Sequence, residues 1–178
     1  MNANVVRLLV GSSVAVLFLW AVVVAQASAQ TPVTGCGTLA GKPSYRLDKD
    51  LFVVSGTCLT IVGNGVKLDL NGHSIRGRPG ATAGIISTAN SITIKGPGIV
   101  HDFDGPCISL YKAPEPGAMR PISSGGRDSL VENVIAYNCG TFGIRLGGGS
   151  RCVGCRVHDT GHLLSPSDIG LDAAGSKR

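Results

Sequence analysis

Apolar and polar residues alternate along most of the chain, in short runs that stop and restart at near-regular intervals. In Val66–Gly77, Leu68 and Leu70 alternate with Asp69 and Asn71, Asn71-Gly72 breaks the run, and Ile75 resumes it after a turn's length. A period of two predicts strands with one buried face, and Asn-Gly predicts the turn between them. The pattern returns 24 residues later as Ile92-Thr93-Ile94-Lys95-Gly96-Pro97-Gly98-Ile99. Recurrence at a fixed period is what stacked solenoid repeats produce.

Three apolar anchors can be followed from repeat to repeat. The openings are Ile61, Ile85, Ile108, Ile144 and Ile169, at intervals of 24, 23, 36 and 25 residues. Second anchors are Leu68/Leu70, Ile92/Ile94, Leu130/Val131 and Cys152/Val153, and third anchors are Ile75, Ile99, Ile135 and Val157. The one long interval holds an insertion over 111–127, rich in Pro and Gly, with Pro114, Pro116, Pro121 and Gly125-Gly126. Three anchors per repeat with Gly or Asn corners predict an all-β fold. It is a parallel β-helix of about 4–5 three-stranded coils, with roughly 4.8 Å between coils. A leucine-rich repeat would need a Leu/Asn consensus that is missing, and a helical solenoid would need a 3.6-residue period.

The N-terminus follows a different pattern. Arg7 precedes an apolar run from Leu8 to Val24, and Ala27-Ser28-Ala29 follows. That order predicts a signal peptide over 1–29, with an uncleaved anchor as the rival. A lead-in and N-terminal cap then occupy 30–58 and the coils 59–178. The destination is secreted or periplasmic, with no stable membrane span after cleavage. At the other end, Ile169-Gly170-Leu171-Asp172 opens a further coil that nothing caps before Arg178. The stack is therefore expected to be truncated or to self-associate through that open coil.

The formal charge of +5, with 4% aromatic residues and 26 glycines, suits thin coils and an anionic partner. Nucleic acid is excluded as a partner, because no basic cluster is interleaved with aromatics. All six cysteines lie beyond residue 29, and an even count in an exported chain favours disulfides. Cys36 and Cys58 flank the segment before the first clear coil and are expected to pair. Cys139 is expected to pair with Cys152 or Cys155, the latter preferred, and Cys107 is left without an obvious partner.

Cys36-Gly37, the Asp50-Leu51 approach to Cys58, the run Gly65–Ile75 and the recurring Gly-Ile openings resemble secreted right-handed parallel β-helix proteins. That superfamily includes pectate-lyase-like proteins and polysaccharide epimerases, and the resemblance spans about residues 36–175. It implies a right-handed coil and action on, or binding of, carbohydrate. Two family patterns are missing. His101-Asp102-Phe103-Asp104 only echoes the Asp-Pro-His-Asp of mannuronan epimerases, and Asn71-Gly72-His73-Ser74 lacks the second Gly of the polygalacturonase Gly-His-Gly.

Counting on from the third anchors gives one column of Arg76, Val100, Ala136 and His158. The next holds Gly77, His101, Tyr137 and Asp159, and the one after it Arg78, Asp102, Asn138 and Thr160. Arg76, His101, Tyr137, His158 and Asp159 are the catalytic candidates, and Lys95 and Asn138 the substrate-binding ones. An Arg can neutralise a uronate carboxylate bidentately, a His or Tyr can take the C5 proton, and Asp can orient a His. Such chemistry is that of a polysaccharide lyase or a C5-epimerase; a non-catalytic carbohydrate-binding or structural module is the alternative. A further column is expected to hold Asn71, Lys95, Glu132 and Gly154.

The spacing Cys152-x-x-Cys155-x-x-His158 is also that of metal ligands. Strand alternation is expected to set the two cysteines on opposite faces, and export favours their oxidation, so no metal centre is assigned. Calcium, held by Asp102, Asp104 and carbonyls near Pro106, is the one cofactor candidate.

Overall fold

The computed structural model describes residues 29–41, 44–111 and 126–161. The signal peptide, most of the inserted loop and the coil opening at Ile169 lie outside the described residues. The strands are, in order, β1 (Thr31–Val33), β2 (Gly37–Leu39), β3 (Ser44–Leu47), β4 (Leu51–Val53), β5 (Gly56–Ile61), β6 (Lys67–Asp69) and β7 (Ser74–Gly77). They continue as β8 (Ala81–Ser87), β9 (Thr93–Phe103), β10 (Ile108–Leu110), β11 (Leu130–Cys139), β12 (Ile144–Leu146), β13 (Arg151–Val153) and β14 (Arg156–Thr160). Among the described residues there is no helix, and therefore none long and apolar enough to cross a membrane.

Strand pairs at every step are parallel and join elements that are not consecutive in the chain. One sheet runs β1-β3-β6-β9-β11-β13, with β4, β7 and β14 attached through β7, β9 and β11; the other runs β12-β10-β8-β5-β2. A parallel neighbour requires a crossover, and here the crossover is itself a strand of the other sheet. This all-β arrangement is that expected of a parallel β-helix. β9 and β11 pass through both halves of the larger sheet, which bends where the register shifts between Glu132 and Val134. Asn71 (φ 50°) and Asn133 (φ 53°) turn that corner in the left-handed region, which Asn tolerates better than most residues.

The core is built from ladders of inward side chains. Leu68, Ile94 and Val131 form one, Leu51, Ile75, Val100 and Ala136 a second, and Leu59, Ile85, Ile108 and Ile144 a third. All are 5% exposed or less. Removing a buried Ile or Leu from such a ladder costs about 2–5 kcal/mol, because the neighbouring coils cannot close the gap.

Exact pairing corrects the sequence register in three places. Ile75 lies opposite Val100 and Val157 opposite Ala136, so Ile99 and Ile135 face outward and are half-buried. Their apolar character makes them resemble core anchors, and a one-residue slip moves a side chain to the other face. On the smaller sheet, Leu59 rather than Ile61 aligns with Ile85; Ile61 faces Ser87. Lys95 and Glu132 do neighbour each other, but their column continues to Asp69 and Val153, not to Asn71 and Gly154.

Three disulfides join Cys36–Cys58, Cys107–Cys139 and Cys152–Cys155, which points to an oxidising compartment. The expected Cys139–Cys155 bond is thereby corrected. Cys139 closes β11 pointing inward, where Cys107, just ahead of β10, is also buried, with Cα atoms 5.5 Å apart. Cys152 and Cys155 do not obey strand alternation, because the chain turns between them. Gly154 sits there at φ 64°, and a Cβ on it would strike the Asn133 side chain, so both the angle and the space call for Gly.

Candidate functional site

The corrected register changes the composition of the corner column. Arg76, His101, Tyr137 and His158 are direct partners across consecutive strands β7, β9, β11 and β14. Because Val100, Ala136 and Val157 point inward, each following residue must point outward. The two rings flanking Tyr137 stack on it: His101 at 4.7 Å between centroids and His158 at 5.0 Å, with planes 15° and 4° from parallel. Stacking at this spacing is the cross-strand pairing that a parallel ladder favours for planar groups. It covers both faces of the Tyr137 ring and one face of each histidine, while His101 Nδ1 is buried and the His158 side chain is exposed.

Beside it stands a second column: Asp102, Asn138 and Asp159, with φ of 63°, 55° and 51°. Each follows its outward ring residue, one position before its strand ends, in the left-handed region that non-glycine residues other than Asn and Asp rarely adopt. Asn138 Nδ2 donates to Asp102 Oδ1 at 2.8 Å, and Arg76 Nε donates to Asp102 Oδ2 at 2.9 Å. His101 Nδ1 lies 3.1 Å from the same oxygen, off the line of a hydrogen bond but close enough for charge attraction. Burial alone would raise the Asp102 pKa. The hydrogen bonds from Asn138 and Arg76 and the nearby His101 ring outweigh it and hold the carboxyl below its usual range. One coil pair further on, His158 Nδ1 and Asp159 Oδ2 are 2.7 Å apart.

The Asp102–Asn138–Asp159 column lines a groove of about 790 Å³ with Arg76, Arg78, Pro79, Asp104 and Gly140; of the ring column only Arg76 lines it, and His101, Tyr137 and His158 sit one residue before its lining Asp102, Asn138 and Asp159. Its charge is mixed, two arginines against three carboxylates, but most carboxylate oxygens are engaged. Asp104 Oδ2 accepts from Gly80 N at 2.6 Å. A calcium ion at Asp102 and Asp104 would compete with Arg76, Asn138 and the Gly80 amide for those oxygens. Arg76 is 59% exposed, and only its Nε is committed to Asp102.

The structure brings Arg76, His101, Tyr137, His158, Asp159 and Asn138 to one edge. Lys95 is not brought there: it lies across the Asn133 corner, between Asp69 and Glu132. Sequence reading assigns no role to Arg78, which lines the groove. A signal for the correct column was present in the recurring triplets Val100-His101-Asp102, Ala136-Tyr137-Asn138 and Val157-His158-Asp159. Aligning on the Asx that must adopt a positive φ, rather than on the nearest Ile, gives the observed register. Both sulfurs of Cys152-x-x-Cys155 are spent in a disulfide, so in this form they are not thiolate ligands beside His158. Compared with protein-family models, with curated proteins and with solved structures, the chain matches none, and its function is argued from the site.

Proposed function

We propose that the protein is a secreted or periplasmic right-handed parallel β-helix of three-stranded coils that binds an anionic, uronate-type polysaccharide along this groove. The observation that supports the reading is the single outward column of Arg76, His101, Tyr137 and His158, whose Arg76 lines the groove together with the adjoining Asp102, Asn138 and Asp159. Arg76 and Arg78 are suited to the sugar carboxylates, and Asn138 and the ring edges to hydroxyls. A column with one polar edge per coil suits a linear ligand laid along the stack.

The same groups are the parts of a lyase or epimerase. Arg76 pairing with the carboxylate would acidify the C5 proton. His158, its Nδ1 held by Asp159, would take that proton at Nε2. The C5–H electron pair then forms the C4–C5 double bond as the C4–O bond breaks, and Tyr137 would protonate the departing oxygen. Return of a proton to the opposite face of C5 would instead give epimerisation. The stacked rings favour a second reading, a binding module without turnover, since their mutual contact is itself a structural device.

Incubation with pectate and alginate, following ultraviolet absorbance of unsaturated ends and C5 exchange in D2O, separates the two. Turnover that falls at least 100-fold in His158→Ala is expected of the enzyme, since general-base contributions run to about 10²–10⁴. Binding without either signal selects the module, and neither binding nor turnover in a folded sample overturns both.

A further inference from the structure

The turn just before β14, the strand that carries His158, is closed by the disulfide with the smallest loop of the three, and we propose that Cys152–Cys155 is a thiol-exchange site for an external dithiol reductant. Its cysteines are three positions apart, against 22 and 32 for Cys36–Cys58 and Cys107–Cys139. A bond closing so small a loop restricts the unfolded chain least, so the fold depends on it least. It packs against the edge of the core rather than inside it. Both Cys152 and Cys155 are half-buried, whereas Cys107 and Cys139 are buried. Cys36–Cys58 has one exposed and one buried cysteine, yet it anchors β2 to β5 through the longer loop.

Local charge points the same way. Arg151 and Arg156, both exposed, flank the pair directly in sequence, and positive charge stabilises the thiolate that must leave. The exchange balances as a two-electron transfer. A thiolate of the dithiol attacks one sulfur, the other leaves as a thiolate, and the second thiol of the reductant resolves the mixed disulfide. Cys152 and Cys155 end as thiols and the reductant as a disulfide.

Reduction has a local structural consequence. Cys152 belongs to β13, and Cys155 adjoins β14, whose pairing with β11 sets His158 against Tyr137. The bond ties the two strands across Gly154. Breaking it releases β14 to move apart from β13, so the His158 ring is expected to lose its fixed stacking while the rest of the core persists.

Graded dithiothreitol under native conditions, with iodoacetamide trapping and peptide mapping, tests the proposal. Cys152 and Cys155 are expected to be labelled together, at reductant levels that leave Cys107–Cys139 and Cys36–Cys58 intact. At those levels the His158 ring resonances should shift while far-ultraviolet circular dichroism stays unchanged. Arg151→Gln with Arg156→Gln should slow the labelling several-fold without altering the unfolding midpoint. Simultaneous reduction of all three bonds, reduction of Cys152–Cys155 only after unfolding, or exchange indifferent to both arginines would overturn it. The outcome does not depend on whether the groove binds sugar.

Discussion

Asp102 is the residue on which the corner converges, since it receives Asn138 and Arg76 and faces His101. Its lowered pKa fixes the sign of its contribution to stability. A carboxyl with a depressed folded-state value contributes fully above its unfolded value of about 3.9, and loses that contribution as pH falls through the lower folded value. Asp50 behaves in the same direction, through the Ser74 amide first and the His73 ring last, so the wild-type decline has at least two sources. Asp102→Asn isolates one of them, because Asn keeps the left-handed turn while removing the charge. It is expected to cost about 1 kcal/mol near pH 7, the site being partly exposed. It should also flatten the pH dependence of the urea midpoint below pH 4. An unchanged slope in the variant would mean that Asp102 is not held by these partners.

At the scale of the strand, register is the quantity with consequences, because one residue decides core or surface. Ile75→Ala is expected to cost about 2–5 kcal/mol and Ile99→Ala about 1 kcal/mol or less, read as shifts in the denaturation midpoint. Equal costs would return Ile99 to the core and the column to its sequence register. The existence of strands, their parallel stacking and the order of the coils were legible, because alternation and repeat length are carried by many residues at once. The corner was legible only to within one position. Ile99 and Ile135 are apolar on an outward face, and hydrophobicity alone does not separate a half-buried outer Ile from a core one. The expected Cys139–Cys155 bond is replaced by Cys107–Cys139 and Cys152–Cys155. Nothing in the spacing marks Cys107 and Cys139 as neighbours across the strands, and the turn at Gly154 that lets Cys152 meet Cys155 breaks the alternation expected to set them on opposite faces. Tyr137 stacking between two histidines was not legible at all, since ring orientation depends on that register.

For the whole molecule, two sheets of parallel strands leave distinct outer surfaces, and only one carries the ring column. The outer face near Lys95 alternates in sign through Arg46, Asp69, Lys95 and Glu132, which offers no continuous anion track. The groove has arginines at one edge and carboxylates largely engaged by neighbours, so binding of an anionic glycan should weaken as salt rises. On the proposed function, an anionic polysaccharide lies in this groove and not on the remaining surface. That placement is tested most directly by titrating oligouronides into isotopically labelled protein and mapping the resonances that move. Shifts confined to Arg76, Arg78, His101, Tyr137, Asn138 and His158, abolished by Arg76→Ala with Arg78→Ala, are the predicted result. Shifts elsewhere, or none with a folded sample at saturating ligand, would contradict it.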